Sequence, residues 1–359
     1  MFRRNRGASR SSERGFKDHP PPPPRSKFNL VWPAACFILL LALGRSVHFC
    51  RSNNAAFDRA AIDPSRRLVA PSLKAEFEGK KLVFVFSTGR TGTKHFSSVF
   101  GGKEALVNHQ DEADSVSAKE AVNKFYRPFA ATNDTELARE FLSEVKLPMI
   151  KSRLQAADDA KVYFQTGHVP LAFGMAPILL KLLGSKTFAV VRIRRDRIQQ
   201  ALSLMALGPE SEDPWSEDSE SLSRRWFPRP SDVHVKLRPD QRVWNSFNRF
   251  QRYLWLVDDT ECRWQSLKRE YAFDYLEVQM ESLLQLNGVE QYEKIAAFVG
   301  TGLPPRVESM HARDNSIEQK GKDSLKWVAD EKTLRLWDEQ YRKLVGPCVV
   351  DQNLMYKWT

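Results

Sequence analysis

The chain has 359 residues, 42% hydrophobic and 28% charged, and a formal net charge of +11. That is enough chain for one large domain or two ordinary ones, and the composition excludes a disordered or fibrous protein. The charge does not describe a nucleic-acid reader, because it is unevenly placed: Arg3, Arg4, Arg6, Arg10, Arg14, Lys17, Arg25 and Lys27 face only Glu13 and Asp18, so this tail carries +6 of the +11.

Residues 1–28, Arg- and Ser-rich and then Pro20 to Pro24, read as a disordered basic, proline-rich tail. The apolar stretch Leu30 to Gly44, closed by Arg45, sits at the lower limit of about 17 residues for a bilayer span. Taken as 29–44, it reads as a signal-anchor transmembrane helix. Because the basic residues precede it, the positive-inside rule leaves the tail in the cytoplasm and the rest of the chain lumenal, a single-pass type II arrangement. A removed signal peptide, cleaved near Ala42-Leu43-Gly44, is the competing reading, and an organelle transit peptide is a third. Residues 45–78 read as a stem and 79–359 as the folded domain. Cys262 and Cys348 either pair in an oxidising lumen or stay as buried thiols. Asn133-Asp134-Thr135 is a glycan acceptor if the domain is lumenal.

Within the domain, "KLVFVF" (81–86) is a buried strand, and "HFSSVFGG" continues as a helix closed by Gly101 and Gly102. The pattern then predicts a helix over 135–145, a strand over 160–166, a helix over 175–185, a strand over 187–193 and a helix over 194–207. The polar run 209–232 carries too many breakers for a regular element and reads as a surface loop, whose Trp215 and Trp226 either line an acceptor groove or act as packing lids. From Pro239 a long helix presents Val243, Phe247, Phe250, Leu254 and Val257 as one apolar stripe. A strand over 272–279 and a helix over 291–300 follow. Strands alternating with helices predict a three-layer α/β fold, a parallel sheet flanked by helices.

Between the first strand and its helix stands Ser87-Thr88-Gly89-Arg90-Thr91-Gly92-Thr93-Lys94. A loop leaving a parallel strand for a helix N-terminus is a natural anion site, with outward N–H groups and about half a positive charge from the helix dipole. Gly89 and Gly92 allow the backbone to close around an anion, Thr91 and Thr93 bring hydroxyls, and Arg90 and Lys94 bring charge. The loop differs from a nucleoside-triphosphate loop. Thr93 intervenes between Gly92 and Lys94, no Ser or Thr follows Lys94 to hold magnesium, and "TFAVVRIRRD" ends in arginines rather than a metal-binding carboxylate.

"FVFSTGRTGTKHF" resembles the 5′-phosphosulfate loop of sulfotransferases that use 3′-phosphoadenosine 5′-phosphosulfate (PAPS), and "FAVVRIRRDRIQQALSL" resembles their second signature, a strand leading to the arginine that binds the 3′-phosphate. The similarity spans roughly residues 80 to 300, with weaker echoes to about 325, and is to the membrane-anchored and microbial branch that carries "TGRTGT". It implies a P-loop NTPase-like sulfotransferase fold, PAPS as co-substrate and no metal. Carried over, it places Ser87, Gly89, Arg90, Thr91, Gly92, Thr93 and Lys94 around the phosphosulfate and Arg192 on the 3′-phosphate. The family adds a serine about eight residues later; Gln200 stands there, with Ser203 one helical turn beyond, so either could supply that contact. Lys320 and Gly321 would form a late basic-glycine contact.

Sulfuryl transfer needs an in-line donor, charge stabilisation at the leaving phosphate, and a base for the acceptor hydroxyl. Lys94 or Arg90 meets the second need. For the base, His109 leads on intrinsic pKa, Glu112 beside Asp111 follows, and His168 is a third choice. The resulting expectation is a Golgi-membrane sulfotransferase acting on a carbohydrate or glycoconjugate, without nucleic-acid partners, while tyrosine on a protein remains an alternative acceptor. A P-loop kinase and a non-catalytic glycan-binding relative are the rival readings, and nothing in the sequence sets an oligomeric state.

Overall fold

The run expected at 81–86 forms β1 (Lys81–Phe86), and every residue after Lys81 is buried. The reason is visible in the alternation of its side chains. Leu82, Phe84 and Phe86 enter one apolar cluster with Tyr163, Phe188 and Val190. Val83 and Val85 enter another with Phe164, Ala189 and Val191. Both faces of the strand are covered, so the sequence has no polar phase. The computed structural model describes residues 73–89, 91–93, 96–97, 100, 105–109, 118–157, 160–206, 215, 227–283, 288–301 and 329–346. All of them belong to one unit of the chain, Val69–Thr359.

Four more strands complete the sheet: β2 (Ala105–Asn108), β3 (Val162–Gln165), β4 (Phe188–Arg194) and β5 (Asp274–Gln279). Their order is β2-β3-β1-β4-β5 and every pairing is parallel. The register sets Phe84 beside Gln165 and Phe86 beside Arg192. From β1 the chain moves outward to β2, returns through β3, then crosses to β4 and β5 on the other side. Connections therefore leave β1 and β4 in opposite directions, which makes the C-terminal ends of these two strands the switch point where open α/β sheets bind ligands. The helical layers include α1 (Arg127–Thr132), α2 (Leu147–Ala156), α3 (Val169–Ala172), α4 (Ala176–Leu183) and α5 (Arg197–Met205). They continue with α6 (Gln241–Ser246), α7 (Arg249–Glu270), α8 (Gly288–Val299) and α9 (Glu331–Val345).

The structure departs from expectation in several places, helix α9 among them, which the sequence reading did not contain. The helix from Pro239 is two helices, because Asn248 accepts from the Gln251 N–H and the Gln251 side chain accepts from the Asn248 N–H, a capping box that restarts the chain as α7. The apolar stripe survives the break: Phe247, Phe250, Leu254 and Val257 are buried together with Leu334 and Tyr341 of α9. Strand β2 was not anticipated, nor was the helical ground over 118–132, where a π-helical stretch (Val122–Tyr126) joins Ala118–Ala121 to α1. In the 209–232 run, Trp215 packs against Phe227, Trp244, Tyr253 and Trp255 and donates to the Pro228 carbonyl, which is the packing role. Trp226 lies outside the described residues.

Cys262 is disulfide-bonded, and the other three cysteines, Cys36, Cys50 and Cys348, lie outside the described residues. Asn133 of the sequon is exposed, with a left-handed φ of 57° at the end of α1. Among the described residues no helix is long and apolar enough to cross a membrane; the tail, the 29–44 stretch and most of the stem lie outside them.

Candidate active site

The loop after β1 stands at this switch point. Gly89 (φ 82°) and Gly92 (φ 75°) both take left-handed backbone, which is why glycine is needed at each. Ser87 Oγ accepts from the Gly89 N–H at 3.1 Å, a local turn that starts the reversal. The Phe96 N–H donates to the Gly92 carbonyl at 3.0 Å, so the helical turn begins within the loop and its first amides have no intrahelical acceptor. Thr91 is fully buried, yet its Oγ1 has no hydrogen-bond partner among the described residues. A buried hydroxyl without a partner costs roughly 1–3 kcal/mol. Between two left-handed glycines, it is suited to donate to a bound oxyanion. Thr93 is buried as well. Arg90 and Lys94 lie outside the described residues.

Side chains from three other segments close on this loop. From the end of β3, the His168 ring lies so close to Gly89 that a Cβ there would stand 3.0 Å from Cε1 and 3.3 Å from Nε2. After β5, Met280 occupies the space beside Gly92, where a Cβ would meet Cε at 2.5 Å. From α5, buried Gln200 donates through Nε2 to Thr88 Oγ1 and to the Gly89 carbonyl (3.1 Å). The loop is therefore held from the segments that follow β3 and β5 and from the helix after β4.

His168 is 7% exposed, and neither ring nitrogen has a partner among the described residues. Burial, and secondarily the charge of His109, lower its pKa to about 4, so it is a neutral imidazole at neutral pH. His109 follows β2, and its Nδ1 lies 3.1 Å from Thr166 Oγ1, which itself donates to the Asn108 carbonyl at 3.3 Å. Glu112 and Asp111 lie outside the described residues, as do Lys320 and Gly321.

Arg192 lies on β4 and is 3% exposed. Its guanidinium donates to the Phe86 carbonyl (3.2 Å), the Ile193 carbonyl (2.8 Å) and Glu261 Oε2 (3.0 Å), and stands over the Phe86 ring. Burial pushes the Glu261 carboxyl up, but Arg192 and Arg194 outweigh it and hold it down to about 2. This arginine ties β1, β4 and α7 together. Arg195 directly follows β4, with Nε 3.9 Å from Glu281. Glu281 also accepts from the Asp196 N–H at 2.9 Å, while Asp196 caps α5 through the Gln199 N–H. Ser203 is buried on α5, one turn beyond Gln200. The sequence reading did not name Arg195, Met280 or Glu281. The last two directly follow a parallel strand, a position that itself marks the ligand edge of such sheets. Among the described residues no group of three or more His, Cys, Asp or Glu is placed to hold a metal ion.

No protein-family model and no curated protein matches the chain. Among solved structures it is similar to a sulfotransferase domain from the curacin biosynthetic pathway, at 10% identity over 74% of this chain and 96% of that one, with a TM-score of 0.39. It is also similar to a sulfotransferase domain from the Synechococcus PCC 7002 olefin synthase, at 13% identity over 75% and 90%, with a TM-score of 0.36.

Proposed function

We propose that the chain transfers a sulfuryl group from PAPS to an acceptor hydroxyl, most suitably on a carbohydrate, with its domain lumenal in the Golgi. The observation that carries the donor assignment is the buried hydroxyl of Thr91, without a partner among the described residues, between left-handed Gly89 and Gly92 at the strand-order switch of a parallel sheet. The sequence resemblance of this loop to phosphosulfate loops supports the same reading. The compartment and acceptor class rest on the basic tail, the apolar stretch and the disulfide at Cys262.

In this reading the loop amides and Thr91 grip the 5′-phosphosulfate. Arg195 with Ser203 takes the 3′-phosphate: they are eight residues apart, the interval of the resembling signature, whereas Arg192 is committed to Glu261 and two carbonyls. His168 is the base. It stands against the loop with lone-pair nitrogen buried, and a bound anion raises an imidazole pKa from about 4 toward the working range. The acceptor O–H gives its proton to His168 as oxygen attacks sulfur. The bond from sulfur to the bridging oxygen breaks, and adenosine 3′,5′-bisphosphate leaves with that electron pair, its charge met by the loop.

The test is the full chain incubated with PAPS and a mixed glycan panel, read by mass spectrometry. A gain of one sulfate on a panel member, absent with His168→Gln, supports the proposal; no sulfated product refutes it. A thermal-shift comparison of adenosine 3′,5′-bisphosphate with ATP-magnesium separates this reading from a kinase.

A further inference from the structure

We infer that Gln200 is a positioning residue, a clasp that sets the shape of the donor loop before the donor arrives, and not a ligand contact. The inference rests on the reading of that loop as the donor site and adds to it the device that keeps the loop in its binding shape.

The geometry is specific. The Gly89 carbonyl can only accept, so the amide nitrogen of Gln200 must face it, and the same nitrogen donates to Thr88 Oγ1. Gln200 is 2% exposed, which makes both contacts dry. An anion cradle requires its N–H groups turned inward and its carbonyls turned away, because a carbonyl oxygen facing a doubly charged phosphosulfate repels it. A peptide next to glycine reorients easily, since glycine populates both signs of φ. Gln200 removes that freedom by drawing the Gly89 carbonyl onto α5, while Ser87 Oγ holds the N–H of the same residue.

The clasp has a rigid arm behind it. Arg197, one turn before Gln200, donates bidentately to Asp258 of α7 (2.6 and 2.7 Å) and also to Asp338 of α9. Asp196 caps the first turn through the Gln199 N–H at 2.8 Å. A side chain fixed in this way organises the loop at no entropic cost when the donor binds. The substitution of glutamine where the resembling pattern has serine then has a physical content: a longer side chain reaches the loop backbone, and Ser203 one turn on keeps the shorter polar group.

The experiment uses the full chain with Gln200→Leu and, from the loop side, Thr88→Val. Two readouts are taken. The first is amide hydrogen exchange over residues 87–93 without ligand, and the second is calorimetric affinity for adenosine 3′,5′-bisphosphate. A clasp predicts about tenfold faster loop exchange in Gln200→Leu, a smaller rise in Thr88→Val, unchanged exchange in β4 and α7, and about tenfold weaker binding. It also predicts a raised KM for PAPS with kcat retained at saturation. Weaker binding with unchanged loop exchange would make Gln200 a direct contact and overturn the inference, as would no change in either readout. If the native chain binds no bisphosphate but Gln200→Leu loosens the loop, the clasp stands and the donor assignment falls.

Discussion

Gly89 and His168 share one space: a Cβ on the glycine would stand 3.0 Å from Cε1 of the imidazole. The loop that would receive the donor and the side chain that would receive the proton are in contact before any ligand binds. Gly89→Ala therefore meets two penalties, a left-handed φ of 82° and a displaced ring. We expect a loss of about 1–2 kcal/mol in urea unfolding and bisphosphate binding too weak to measure. Unchanged stability in the alanine variant would contradict the backbone geometry described for the loop.

The buried state of His168 makes stability pH-dependent in a predictable direction. Its folded pKa is about 4 against an unfolded value of 6.5, so between those values the unfolded chain binds more protons. Stability is complete above 6.5 and falls as pH drops toward 4, by about 2 kcal/mol between pH 7 and pH 5. His234, whose pKa burial and then Arg263 push well down, acts with the same sign. Glu261, held down to about 2, contributes stability above 4.5 that is lost only below that pH. His168→Gln should remove about 2 kcal/mol of the decline between pH 7 and pH 5 and leave the Glu261 window intact. Parallel pH curves for the two proteins would contradict the assignment.

Arg192 and Arg195 part company under mutation. Arg192→Ala leaves Glu261 buried beside one cation fewer and frees two carbonyls, an expected cost of about 3–5 kcal/mol. Arg195→Ala touches a half-buried guanidinium 3.9 Å from Glu281, so the expected loss of stability is smaller, about 1 kcal/mol. Its effect is read in binding instead, as a loss of affinity for adenosine 3′,5′-bisphosphate but not for adenosine 5′-phosphate. The opposite pattern would return the 3′-phosphate to Arg192.

Arg197 stands between Asp258 and Asp338 and over the Tyr341 ring, so α5 and α9 are joined through buried charge. Arg197→Ala takes the guanidinium away from two buried carboxylates, of which Asp338 keeps Arg342, and should cost about 3–5 kcal/mol. Asp338→Asn keeps a hydrogen-bond acceptor for Arg197 and for Arg342 and should cost less. Chemical denaturation of both variants orders them; a larger loss in Asp338→Asn would show that the guanidinium is not the hub.

What the sequence disclosed and what it hid follow from distance along the chain. Four strands were legible, most plainly β1 and β4, which are buried on both faces and carry the apolar runs 82–86 and 188–191. Strand β2 was not: it has four residues at the sheet edge, and only Ala105 is buried. The break before α7 was masked because the apolar stripe runs through the capping box, although Asn248 and Gln251 carry that box openly. Likewise α9 has an Asp330 cap and a Gly346 stop that could have been read. The glycine-threonine turn after β1 was legible since its glycines and hydroxyls are contiguous. The fate of Arg192 was not, because its carboxylate partner lies 69 residues away. His168 ranked last of three bases by sequence, since only the fold sets its ring on Gly89.

The most direct measurement is calorimetric titration of the full chain with adenosine 3′,5′-bisphosphate, repeated on Thr91→Val. That substitution keeps the shape of a buried side chain and deletes the hydroxyl that has no partner among the described residues. The account predicts saturable binding to the native chain and affinity at least about tenfold weaker in the variant, with the unfolding temperature unchanged or raised. Equal affinity in the two proteins, or no binding by the native chain, would contradict it.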